Sequence, residues 1–344
     1  MKLSHIKLMT CMMILTSCMM SCRDELCYNH FPSMEVSLSW EYEWERDYGM
    51  NHSENWDESL HGFPYEDLKP GKPEWVNIIR LTSDGSRHEH YIGSDSEVMM
   101  VDEGVDHSLL LYNGDTEYIF LSDIASPPDA RASATERSRA SLAYITEAHP
   151  GTRTTNPPDV LYSAYIPNVP PVMNHEVKEV PVKMQPLVFT YLIRYEFEYG
   201  FEHVALARGA LGGMADSVYL LDGRSSDEST IILYDCDIKD YGCEAHVHSF
   251  GVPGFPDKYY GRGAEPDPSR RYTLNLEVRL NNGNYVEYNY DITDQIANQP
   301  RGGVIKVSGL RVEDKDSSTP TGFNVVVDDW GDRVDIDLPV STDK

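Results

Sequence analysis

Apolar and polar side chains alternate along most of this chain with a period of two, as expected of strands that bury one face. Met34-Glu35-Val36-Ser37-Leu38-Ser39-Trp40 alternates cleanly, and so does Trp75 to Leu81, which ends at the turn signal Ser83-Asp84-Gly85. The run Leu109 to Tyr112 reads as one arm of a hairpin that turns at Asn113-Gly114-Asp115 into Tyr118 to Leu121. Tyr272 to Leu280 and Tyr285 to Tyr290 flank Asn281-Asn282-Gly283-Asn284. Asn and Gly tolerate the positive φ of a tight hairpin, so that pair is a strong prediction. Phe323 to Val327 and Val334 to Leu338 flank Asp328-Asp329-Trp330-Gly331-Asp332 in the same way. Helical periodicity is almost absent. Two short candidates are a turn at Thr293-Asp294, whose side chains can cap the backbone ahead of Gln295-Ile296, and the small-residue stretch Ala205 to Ala215. Many short strands with closely spaced turns predict all-β sandwiches rather than a parallel α/β sheet.

The pattern breaks between Ser126 and Pro171, where Pro127-Pro128, Pro157-Pro158 and Pro170-Pro171 surround a basic patch with Arg131, Arg137 and Arg139. Proline lacks the donor a ladder needs, so the stretch near 126–171 reads as a long loop or meandering edge rather than a central strand. An unbroken strand from Leu187 through Phe197 then opens a second unit. The expected organisation is a signal at 1–21, one β-sandwich domain over 22–180 and another over 181–344.

The N-terminus carries Lys2 and Lys7 and then an apolar run from Leu8 through Met20, the layout of a secretory signal. That run is shorter than the roughly 20 residues a spanning helix needs. Two cysteines follow boxes of the lipoprotein kind, in which an apolar residue and two small ones precede a thiol that is acylated. Leu15-Thr16-Ser17-Cys18 fits by residue type, and Met19-Met20-Ser21-Cys22 stands at the end of the apolar run. Cys22 is favoured and Cys18 is the alternative. The sequel Arg23-Asp24-Glu25 resembles the basic-then-acidic tag that directs Bacteroidota lipoproteins to the outer face of the outer membrane.

Cleavage after residue 21 leaves 27 basic against 56 acidic residues, a formal charge of −29. Such a charge repels phosphate backbones, which excludes a nucleic-acid partner. Besides the anchor only Cys27, Cys236 and Cys243 remain, too few for a disulfide scaffold. Cys236 and Cys243 can bridge across a hairpin or stand as two free thiols. No Gly-x-Ser-x-Gly elbow, His-Glu-x-x-His helix or phosphate-cradling loop occurs, so no enzyme activity and no cofactor are expected. His88-Glu89-His90 and His246-Val247-His248 each put two imidazoles on one strand face. His246 and His248, near Glu244 and Cys243, are the better but weak metal candidates, against the plainer account of exposed strand histidines. Acids at Glu313-Asp314-Lys315-Asp316 and at Asp328, Asp329, Asp332, Asp335 and Asp337 lack EF-hand spacing and read as solvated loops. Trp40, Tyr42 and Trp44 share one strand face, near Tyr48 and Trp56. They form either a buried aromatic stripe or a sugar-stacking platform.

Several segments resemble a family of Bacteroidales fimbrillin-like (Mfa-like) surface lipoproteins of unknown function. They are Cys22-Arg-Asp-Glu-Leu-Cys-Tyr-Asn-His30, Pro158-Asp-Val-Leu-Tyr162, Ala207-Arg-Gly-Ala-Leu-Gly-Gly-Met-Ala215, Tyr290-Asp-Ile-Thr-Asp-Gln-Ile296 and Phe323-Asn-Val-Val-Val-Asp-Asp-Trp330. The resemblance implies two tandem transthyretin-like β-sandwiches in a lipid-anchored anchor or tip subunit of a surface pilus. Partners would be other pilus subunits joined by β-strand exchange, and a host or glycan ligand. Stalk subunits of such pili lose an N-terminal strand to an arginine-specific protease. This chain offers Arg46 without a clear loop site around it, and Arg137-Ser138-Arg139 lies too far in for removal of one strand. The alternative function is a glycan-binding surface lipoprotein of a polysaccharide-capture system.

Overall fold

A computed structural model describes residues 31–41, 52–139, 143–173, 177–256, 270–313 and 316. Cys18, Cys22, Cys27, Tyr42, Trp44, Arg46, Tyr48 and the C-terminal hairpin expected over 323–338 lie outside the described residues. The first ten strands are β1 (Ser33–Trp40), β2 (Trp75–Thr82), β3 (Arg87–Gly93), β4 (Ser96–Met100), β5 (His107–Asn113), β6 (Ile119–Ser122), β7 (Arg131–Ala134), β8 (Thr154–Thr155), β9 (Tyr162–Val169) and β10 (Val177–Pro186). There follow β11 (Phe189–Tyr199), β12 (Val204–Ala215), β13 (Ser217–Tyr219), β14 (Ser229–Lys239), β15 (Gly242–Ser249), β16 (Thr273–Leu280), β17 (Tyr285–Asp291) and β18 (Gly303–Arg311). The all-β class expected from the alternation is what the structure shows.

The strands make two sandwiches, each folded around one strand that turns a corner. In the first, the order is β3-β2-β5-β9-β10-β1-β4. β10 lies along β1 from Val177 to Met184 and meets β9 only at Gln185 and Pro186, so it passes from one layer to the other. Met34, Val36, Ile78, Leu109, Leu111, Tyr162, Val180, Val182 and Met184 fill the space between the layers. In the second, the order is β17-β16-β12-β14-β15-β11-β18, with β8 beside β14. β14 pairs with β12 up to Cys236 and with β15 from Asp237 onward. Tyr191, Tyr195, Leu211, Ile232, Tyr234, Val247, Leu274 and Ile305 build that core. A third cluster joins the two. Ile79, Leu110 and Tyr112 from the outer face of β2 and β5 pack with Ala132, Leu187, Val188, Val218, Leu220 and Phe250, over the small sheet β13-β7-β6.

Three expectations change, and a fourth holds with a different cap. The proline-rich stretch is not a loop throughout, because it supplies β7, β8 and the central strand β9, paired on both sides. β9 tolerates Pro167 because the ladder to β5 jumps from Ile166 to Val169 at a bulge, where no donor is required. Ala205 to Ala215 is not helical but is the strand β12. Its small residues serve close approach, since a Cβ on Gly209 would stand 2.3 Å from the Tyr234 ring. The turn at Asn113 does not close a hairpin, for β6 pairs with β7 in another sheet. The Asn113 side chain instead donates to Asp115 Oδ1 and the Val160 carbonyl and accepts from Tyr162 N–H. Finally, a short helix does form, α4 in a chain order whose earlier helices are α1 (His52–Asn55), α2 (Glu58–His61) and α3 (Ala143–Ala148), and it spans Thr293–Ala297. Asp291, not Thr293 or Asp294, accepts the Thr293 N–H, while Thr293 Oγ1 accepts from Tyr272 N–H.

The hairpin of β16 and β17 forms as expected, in register from Thr273 with Asp291 to Arg279 with Tyr285. The chain leaves the first sandwich after Pro186 and enters the second at Phe189. Gly209→Ala should lower stability by roughly 1–3 kcal/mol, because the Tyr234 ring it would strike is buried and bonded to the Tyr195 hydroxyl. Urea denaturation should show a lower midpoint with an unchanged slope.

Candidate functional site

The feature that sets this molecule apart from a closed barrel is the way β1 is held. It runs parallel to β10 over its whole length and antiparallel to β4 from Ser33 to Ser37. Met34 and Val36 point inward with no exposure, while Ser33, Glu35, Ser37 and Ser39 alternate outward. Further bonds fix the strand at both ends. Val101 N–H donates to the Pro32 carbonyl at 2.9 Å, Leu38 N–H to Asp95 at 2.8 Å and Glu41 N–H to Met184 at 3.1 Å. Trp40 packs edge-on to Tyr162, with ring centroids 4.9 Å apart, and its indole N–H donates to the Ser94 carbonyl at 3.1 Å. The stripe alternative therefore describes Trp40, whose ring is held in the fold rather than offered to a ligand.

The second sandwich repeats the arrangement at its edge. β18 lies parallel to β11 from Gly303 to Arg311, and its other side carries no strand among the described residues. Each sandwich thus carries one long strand added in parallel near one end of the described chain, and the two-residue β8 also runs parallel to β14 in the second.

Farther along the chain, Leu60 and Phe63 lie against β11 and β15 of the second sandwich. Arg194, 5% exposed, donates to the Leu60 carbonyl, ion-pairs with Glu196 at 3.0 Å and stacks over the Tyr241 ring at 3.7 Å. Tyr241 O–H donates to Glu244, and Glu244 lies 3.6 Å from His246 Nε2. Burial opposes ionisation of Glu244, yet hydrogen bonds from His246 and Tyr241 hold its pKa below the ordinary value. His61 stacks on Trp56 with centroids 3.9 Å apart, and Phe63 sits 5.3 Å from the His246 ring. His52 bonds to Gln299 at 2.9 Å.

The weak metal candidates do not converge. His246 faces Glu244 and Phe63, whereas His248 donates from Nδ1 to the Pro158 carbonyl at 3.1 Å. Among the described residues no group of three or more His, Cys, Asp or Glu is placed to hold a metal ion. His88 lies 3.9 Å from Asp102, which also pairs with the buried Arg80 at 3.0 Å. Arg137 is tied to Asp235 and the Leu233 carbonyl, and Arg139 to Asn275 and Glu277, so both clamp the proline-rich stretch onto the second sandwich. Cys236 and Cys243 are free thiols. Burial pushes both up, Cys243 to about 12, and Cys243 adds to the upward shift at Cys236. The sequence did not single out Arg194, Tyr241 or His61, because their contacts join segments distant in the chain, which no local spacing signals.

The family model that matches this chain, over residues 64–235, is described as a domain of unknown function (DUF5119). No curated protein matches. Among solved structures, one described as a putative adhesin from Bacteroides ovatus aligns over 85% of this chain and 95% of its own, at 19% identity with a TM-score of 0.55. The fimbrial anchor protein Mfa2 from Porphyromonas gingivalis aligns over 83% and 94%, at 8% identity with a TM-score of 0.43. The resemblance to fimbrillin-like Bacteroidales proteins drawn from the sequence holds, and the first of these likenesses shows the shared fold.

Burial lowers the pKa of His61, His90, His107, His149 and His248 below the ordinary 6.5. These groups are neutral in the fold and take up protons more readily when it opens. Their contribution is therefore complete above pH 6.5 and declines as pH falls below it. Thermal melting should show Tm falling between pH 7.5 and 5.5. His149→Gln, which keeps a partner for Thr273 Oγ1, should flatten part of that slope.

Proposed function

Since this chain belongs to the DUF5119 family, we propose that it is a cell-surface lipoprotein of the outer membrane, acting as a fimbrillin-like anchor or tip subunit in adhesion. Acylation of Cys22 anchors it, and other pilus subunits join it through exchanged strands. The observation that carries this is the seat of β1. Main-chain bonds to β10 and β4 supply affinity, and Met34 and Val36 fill alternate pockets, which is how one protein completes another's sheet. The side of β18 that carries no strand among the described residues offers a second place where a strand can add. Glycan capture loses its motive at Trp40, because that ring is packed on Tyr162.

The fold likeness, over most of both chains, to the structure described as a putative adhesin supports a role at the surface. The seat is testable with the whole chain carrying a specific protease site within residues 42–51. After cutting, a labelled peptide of sequence Ser33 to Trp40 should exchange into the seat, and a peptide with Val36→Asp should bind at least tenfold more weakly. A cut chain that takes up neither peptide would contradict strand exchange at β1. Mass spectrometry of the native N-terminal peptide should separately find acyl groups on Cys22.

A further inference from the structure

Seven large apolar side chains among the described residues are more than half exposed, and five of them gather at one end of the first sandwich. They are Phe31 (59%), Val98 (55%), Met100 (66%), Met173 (58%) and Val177 (57%). Strand register places them together. Ser33 pairs with Met100 on one side and with Val177 on the other, and Glu35 pairs with Val98 in the next row. Phe31 stands two residues before Ser33, on the same face, and the adjacent Pro32 carbonyl accepts from Val101 N–H. Val172, which precedes Met173, forms a bridge with Glu103 just beyond β4. Beneath this surface Met34, Met99, Val101 and Val172 are buried, so the exposed set is an outer layer and not a displaced core.

The patch stands where the proposed anchor emerges. Phe31 follows Cys22 by nine residues, a tether that spans at most about 30 Å when extended. An apolar surface of this kind marks an interaction site, and a body tethered so closely cannot turn that end far from the lipid. The geometry points to a membrane-contacting tip: Phe31, Met100, Met173 and Val177 rest in the interface of the bilayer that holds the anchor and set the orientation of both sandwiches above it. The inference rests on acylation at Cys22 for the position of the tip. Glu35, Glu103 and Glu179 border the patch in a chain of strongly negative charge, which disfavours an anionic surface. Apolar insertion rather than charge attraction therefore supplies the contact.

The test uses the full chain, isolated from its native membrane and reconstituted in phosphatidylcholine vesicles that contain a diazirine-tailed phosphatidylcholine. After illumination, peptides with Met100, Met173 and Val177 should carry lipid adducts at least tenfold above peptides with Leu206 and Tyr285, which are also exposed but lie in the second sandwich. Met100→Asp with Val177→Asp, both at exposed positions, should cut labelling at Met173 at least fivefold while leaving Tm unchanged. Labelling restricted to residues 22–30, or equal at the tip and at Leu206, overturns the inference even if Cys22 is acylated. So does a tip shielded from lipid by another subunit, or labelling at Met173 that the double variant does not reduce. A chain without acyl groups whose tip is still labelled would sustain the inference while removing the anchor.

Discussion

The parallel ladder between β1 and β10 is the contact on which the first sandwich depends. β10 turns the corner between the two layers, and without β1 beside it the layer of β10, β1 and β4 would be two unpaired strands over an open core. Burying a side chain such as Met34 or Val36 contributes roughly 1.5–3 kcal/mol, while ordering each backbone residue costs roughly 1–2 kcal/mol. The main-chain bonds, worth roughly 1 kcal/mol each net, then decide whether the strand stays. A strand held on such terms is replaceable by another with the same alternation, which is the property strand exchange requires.

The second sandwich follows the same plan with β14 at the corner and β18 added in parallel to β11. It is tied to the first by more than the crossing at Leu187 and Val188. Arg137 and Arg139 clamp the proline-rich stretch onto it, Arg194 holds Leu60 against β11, and a shared apolar cluster lies over the small sheet. The described segment around Leu60 is thus gripped by the neighbouring sandwich, apart from the contacts that hold β1.

Much of this was legible in the alternation of side chains. Strands β1, β2, β5, β16 and β17 stand where the sequence put them, although only β1 and β17 keep one face toward solvent along their length, whereas β5 and β16 are buried on both faces. β12 was hidden because its glycines and alanines carry no period-two apolar pattern, and the need for the glycines arises from Tyr234, Thr273 and His149 packing against that strand and from the positive φ at Gly213. β9 was hidden because a proline in a central strand is forbidden locally and permitted only by a bulge that the partner strand defines. The clasp of Arg194, Tyr241, Glu244 and His246 was half visible. The histidines were noticed as a ligand pair, but what they face depends on a segment that arrives from the far side of the sequence. The candidate seat itself is a matter of pairing direction, which no single strand's pattern encodes.

Native-state hydrogen exchange followed by fragment mass spectrometry tests the replaceable strand most directly. The account predicts that the amides of Met34 through Trp40 open together, at a free energy clearly below that of β11 and β14, and without exposing those strands. Exchange of the β1 amides only through global unfolding, at the same free energy as β11 and β14, would contradict it.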